Sequence, residues 1–138
     1  MCMPQNITNR IHVSIKKTYY VYDRFGIQAT FALLYHEEPL SVVELSKYVR
    51  ISDELIELDS NHYFIIFAFT SQENAYKASQ NLIQKLDLHF NNHTSCIVVD
   101  TFDKSKTSAN VINRLKQIMI EIHKNSYVRV ETEDILDH

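Results

Sequence analysis

Arg50 and Asp53 stand three residues apart in the stretch RISDELIELDSNHYFIIFAF, and the polar group Asp59-Ser60-Asn61-His62 follows between two apolar runs. At that spacing a guanidinium and a carboxylate form an i,i+3 ion pair at a strand's edge, the ordinary fate of such pairs. Asn61 and His62 could coordinate a ligand or a partner; the commoner reading is a solvated turn. His89 and His93, in LHFNNH, have a spacing that suits a metal on a helix. The intervening Asn91-Asn92 reads as a loop and no third ligand clusters nearby, so no metal site is expected. Tyr19, Tyr20 and Tyr22 could form a platform for bases, but Tyr19 and Tyr22 are expected to pack a helix, with Tyr20 partly exposed. Lys16-Lys17 and Lys104-Ser105-Lys106 read as solvated faces.

The bulk numbers narrow the chemistry. The chain has 138 residues, 45% of them hydrophobic, enough for a single core without disulfides or metal. A formal net charge of −3 argues against a broad basic face, so no nucleic-acid partner is expected. Gly26 is the only glycine. Phosphate-cradling loops need glycines, because the backbone must approach the ligand closely, so a glycine-rich nucleotide loop is excluded. Cys2 and Cys96 lack C-x-x-C spacing, and Cys96 sits in the apolar run CIVV, where a buried reduced thiol is the ordinary reading. The opening MCMPQNITNR lacks the apolar core of a signal peptide, and YFIIFAF is too short to span a bilayer. A cytoplasmic protein without a membrane partner is expected.

The elements that must position these residues follow from periodicity and caps. Ile11, Ile15, Tyr19 and Tyr22 share one helical face over residues 9–25, with Gly26 as the stop. IQATFALLY reads as a central strand ending near Tyr35. Ser41 and Glu44 make a capping box for a short second helix, with Leu40 and Leu45 as its staple. ELIEL and YFIIFAF flank the turn-favouring tetrad Asp59 to His62 and predict a β-hairpin. TSQE, residues 70–73, reads as a second capping box, opening a helix to about residue 86. SCIVVDTF reads as a strand. Val111, Ile112, Leu115, Ile118, Met119 and Ile122 form a helical stripe that Asn125 ends. YVRV, residues 127–130, reads as a closing strand, and the tail ETEDILDH as acidic and loosely held. This order predicts an α+β fold, a two-layer sandwich with helices packed on a mostly antiparallel sheet.

Order and spacing together resemble the GGDEF domain of diguanylate cyclases, over residues 6 to 130. That family carries R-x-x-D followed by G-G-[DE]-E-F at a hairpin tip; here RISD is followed without a gap by Asp59, Ser60, Asn61, His62 and Tyr63. VINRLKQIMIEIHKNSYVRV is similar to the family's C-terminal helix and strand, and TNR at 8 to 10 to its T-G-L-x-N-R opening, less three residues. The resemblance implies a nucleotidyl-cyclase, ferredoxin-like related fold in a single domain, residues 1–130, with 131–138 as a tail. It also implies that the tip once met GTP and divalent metal, and that HEE, with Glu37, holds the residual metal carboxylate.

The departures point to lost chemistry. Side chains replace the two glycines that let the family's backbone approach GTP, and Asn61 brings no negative charge to a cation that favours anionic oxygens. The family's guanine-reading helix between the first strand and R-x-x-D is mostly missing. Two-metal phosphoryl transfer would then lack its apparatus. The expectation is therefore a non-catalytic signalling module, without cofactor or metal, acting through an unidentified protein partner or self-association. In the family, R-x-x-D is the inhibitory site for the product, where a guanidinium addresses phosphate and guanine and a carboxylate accepts from guanine nitrogens. That makes a cyclic di-GMP receptor using Arg50 and Asp53 the alternative, with Arg114 or Lys85 as a second cation. An active nucleotide cyclase is a remote third.

Overall fold

A strand with apolar side chains on both of its faces is stable only where both are covered. ATFALLY is such a strand: β1 (Ala29–Tyr35) is buried over all but its last residue and takes the centre of the sheet. The computed structural model describes residues 5–101, 106–124 and 129–132. The elements in chain order are α1 (Gln5–Phe25), β1, α2 (Val42–Ser46), β2 (Glu54–Asp59), β3 (His62–Ala68), α3 (Gln72–Phe90), β4 (Cys96–Thr101), α4 (Ser108–His123) and β5 (Val130–Thr132). The strands stand side by side as β2-β3-β1-β4-β5. All pairs are antiparallel except β4 with β5.

The expected α+β fold with its mostly antiparallel sheet is present, with helices on both faces, so the layers number three rather than two. The reason lies in the strands. Phe31 and Leu33 of β1 join Phe64, Ile66 and Val98 in a core beneath α1 and α4. Ala32 and Leu34 join Tyr63, Ile65, Phe67 and Val99 in a second core beneath α2 and α3. Each fully buried aliphatic or aromatic side chain is worth roughly 1.5–3 kcal/mol, so neither face could stay open to water.

Local signals set most helix ends. Gly26 adopts φ +67° and donates its N–H to Tyr22 O at 2.7 Å, closing α1. That helix begins at Gln5 rather than Asn9, with Ile7 adding to its buried stripe. Ser41 caps α2, accepting from Glu44 N at 3.1 Å, and Leu40 and Leu45 are both buried. The cap of α3 is Ser71, accepting from Asn74 N, rather than the expected Thr70. Thr70 is diverted: its hydroxyl donates to Ala68 O at 2.6 Å and accepts from Arg50. α3 also outruns its apolar stripe and ends at Asn91, φ 55°, because Phe90 in its last turn stacks on His36 at 3.9 Å between centroids. β5 starts at Val130, so Glu131 and Thr132, expected in the tail, pair with Val98 and Val99. Cys2, Lys104, Asn125 and residues 133–138 lie outside the described residues. Among the described residues no helix is long and apolar enough to cross a membrane.

Candidate functional site

The two candidate sites lie at opposite ends of the β2–β3 hairpin. At the turn end the ladder slips between Glu57 and Asp59, and Asp59 pairs with His62. Only Ser60 and Asn61 are left as the turn, where the sequence predicts a four-residue tip. Asn61 Nδ2 donates to His36 O at 2.9 Å and to Glu37 O at 2.7 Å, both in the segment that leaves β1. Backbone bonds add to this: His36 N to Asn61 O at 2.9 Å and Leu40 N to Ser60 O at 3.3 Å. The tip is thereby stitched to the β1–α2 loop. Its own carboxylate is engaged as well: Asp59 Oδ1 accepts from Asn61 N at 2.8 Å and lies 2.9 Å from His62 Nδ1. Burial pushes the Asp59 carboxyl up, but hydrogen bonds from His62 and from Asn61 N outweigh it and hold the carboxyl below its ordinary range.

Aromatic rings pack beside the tip. The Tyr35 ring lies between His62 and His123, at 5.1 and 5.2 Å. Tyr63 is fully buried, its hydroxyl has no partner among the described residues, and burial pushes its pKa up to about 12. Glu37 is exposed. A divalent cation needs several oxygen lone pairs turned toward one point. Here an amide N–H₂ faces the two loop carbonyls, and Asp59 Oδ1 is engaged by Asn61 N and Oδ2 lies 3.0 Å from His62 Nδ1, so the donor set does not suit magnesium at this tip.

At the open end, Arg50 and Asp53 meet each other. Arg50 Nη2 reaches Asp53 Oδ1 at 2.8 Å and Nε reaches Oδ2 at 3.3 Å, while Arg50 N donates to Oδ2 at 3.1 Å. Ala68 N adds a bond to Asp53 Oδ1 at 3.3 Å. Arg50 Nη2 also donates to Ala68 O at 2.8 Å and to Thr70 Oγ1 at 2.7 Å. The Asp53 side chain is 2% exposed and that of Arg50 52%. A bidentate pair this well surrounded ties the 50–53 turn to the corner after β3. Lys85 lines the same shallow depression, about 230 Å³, as Arg50 and Asp53.

Other candidates are placed elsewhere. Arg114 Nε donates to the fully buried Asp100 at 3.0 Å, which takes it away from Arg50. Lys106, read as part of a solvated face, lies 3.5 Å from that same carboxylate and is 19% exposed. Asn91 ends α3 between His89 and His93; His89 Nδ1 lies 2.7 Å from Tyr48 Oη and His93 Nδ1 3.1 Å from Asp87. Tyr19 is half-buried and donates to Lys106 O at 2.7 Å, as expected of a packing residue, and Tyr20 is exposed. Cys96 is half-buried and burial pushes its thiol up. Sequence reading also missed His36, wholly buried, with Nδ1 against Ser95 Oγ and Nε2 without a partner among the described residues. Burial lowers its pKa, and its position directly after the buried β1 was the available signal.

No family model and no curated protein matches the sequence. Solved structures do. The chain superposes on the GGDEF domain of DgcB from Caulobacter crescentus, solved in complex with c-di-GMP, with a TM-score of 0.74 at 8% identity, covering 88% of this chain and 87% of that one. The active GGEEF domain of a diguanylate cyclase from Vibrio cholerae gives 0.71 at 11% identity, covering 89% and 93%. The diguanylate cyclase SiaD from Pseudomonas aeruginosa, in complex with its activator SiaC, gives 0.71 at 9% identity, covering 91% of this chain and 56% of SiaD. The fold of this chain is the GGDEF-domain fold.

Proposed function

We propose that this chain is a non-catalytic signalling module, a GGDEF fold that acts through contacts with protein. The observation that carries the reading is the closed tip: Asn61 donates to both loop carbonyls where the resemblance places metal and triphosphate. Asp59 and Ser60 stand where the family has its two glycines and Asn61 where it has its acidic residue, and the local carboxylate, Asp59, is occupied by His62 and Asn61 N. A GGDEF-fold protein in contact with a protein partner has a precedent in SiaD with SiaC. The test is incubation with GTP and Mg²⁺ or Mn²⁺ followed by chromatography. No cyclic di-GMP is expected, and a genuine product would overturn the reading.

A second reading, a cyclic di-GMP receptor, is favoured by one observation, the shared lining of a single depression by Arg50, Asp53 and Lys85. DgcB, which shares the fold, is solved with that ligand. Against it stands the engagement of Asp53 by Arg50 and Ala68, which must be undone before guanine can use the carboxylate. Calorimetry with cyclic di-GMP on the wild type and on Arg50→Ala separates the readings: heat that Arg50→Ala abolishes selects the receptor, and no heat with either leaves the interaction module.

A further inference from the structure

The Arg50–Asp53 clamp has an effect on the residues beside it. By tying the 50–53 turn to the corner after β3, it leaves Ile51 wholly exposed and Phe69 67% exposed. Phe69 holds φ +57°, a conformation that bulky side chains rarely adopt. The backbone around it is over-determined, since Ala68 O accepts from both Arg50 and Thr70 while Thr70 O accepts from Thr30. An aromatic ring is thus held outward in a strained geometry that packing within the monomer does not require.

Directly beside this knob lies a depression of about 190 Å³ between the C-terminal half of α1 and the ends of β2 and β3. Its lining includes Val21, Ile27, Ala29, Ile66 and Ala68, with Phe69 as one wall. Lys17 of α1 and Glu54 of β2, which accepts from Ser14 Oγ, also line it. An apolar knob next to an apolar hole, with one cation and one anion on different elements, is a self-complementary surface. A two-fold axis brings knob to hole and positive to negative twice over.

We propose that this corner docks a second copy of this chain, the Phe69 ring of each copy entering the depression of the other and Lys17 of each facing Glu54 of the other. The proposal deepens the interaction-module reading by naming its partner, and the nucleotide assays above test that reading separately. Sedimentation equilibrium of the full chain over a dilution series is expected to show a reversible dimer. Phe69→Gly suits the left-handed φ, keeps the fold, and is expected to weaken association by about tenfold or more, as loss of a central aromatic anchor does. Lys17→Glu and Glu54→Lys are each expected to weaken self-association, and mixing the two variants is expected to restore it, because the mixed dimer regains both opposite-charge pairs. A monomer at every concentration, a dimer indifferent to Phe69→Gly, or a mixture no tighter than its components would each overturn the proposal. So would a monomeric chain in which Phe69→Gly abolishes uptake of an apolar dye, which assigns the depression to a small ligand.

Discussion

The hairpin β2–β3 is fastened at both ends by polar side chains, yet the two fastenings differ in kind. At the turn end the fastener is a neutral amide, Asn61, bonded to two backbone carbonyls. At the open end it is a carboxylate that is almost fully buried, Asp53, held by a guanidinium and backbone N–H groups. A neutral hydrogen bond contributes modestly because the unfolded chain makes it with water. A buried charge contributes little net stability, but leaving it without its partner is severe. The two ends therefore separate most sharply when one partner is removed.

Five variants break or sharpen that contrast. Arg50→Ala leaves the Asp53 carboxylate buried without its cation and is expected to cost about 3 kcal/mol of unfolding free energy, read from urea denaturation. A loss below that of Asn61→Ala would show that the open end is the weaker fastening. Asn61→Ala removes two amide bonds and is expected to cost about 1–2 kcal/mol, with faster amide exchange at His36 and Leu40. Asn61→Asp, which restores the acidic residue of the GGDEF pattern, should cost more than Asn61→Ala above the carboxylate range, since an anion would face two carbonyl oxygens.

The fourth variant concerns His36, whose backbone receives the tip. Its pKa is lowered by burial from an ordinary 6.5, so as pH falls the unfolded chain takes up the proton first. The stability it contributes is complete above about pH 6.5 and is lost as pH falls from there through the lowered folded value. Urea midpoints measured down this range should fall more steeply for wild type than for His36→Phe; equal slopes would remove His36 from the account. The smallest effect is expected at Lys47. Glu44 and Lys47 are also an i,i+3 pair, at 3.2 Å, but both side chains are well exposed, at 41% and 59%. Lys47→Ala should cost no more than about 0.5 kcal/mol in the same denaturation assay.

Much of the fold was legible because its signals act over a few residues. The Ser41 cap, the Gly26 stop, the apolar stripes of α1 and α4 and the hairpin were all readable from local pattern. The misreadings arose where a distant group intervened. Thr70 lost its cap role to Arg50, twenty residues away in the chain. Phe90 extended α3 by stacking on a histidine at the end of β1. The tip shrank to Ser60 and Asn61 because a slip in pairing drew Asp59 and His62 into the ladder. At the candidate site, Arg50 and Asp53 were readable as a pair, whereas the engagement of Asn61 with residues 24 and 25 positions earlier was not.

The amino-acid order by itself determined which segments are helix and which strand, because hydrophobic period and capping are properties of neighbours in sequence. Tertiary structure alone decided what each polar side chain does. Glu44 with Lys47 and Arg50 with Asp53 have the same spacing and opposite charges, and only burial makes one a surface ornament and the other a clamp. Burial is set by segments far along the chain, and charge interactions depend on the water those segments exclude.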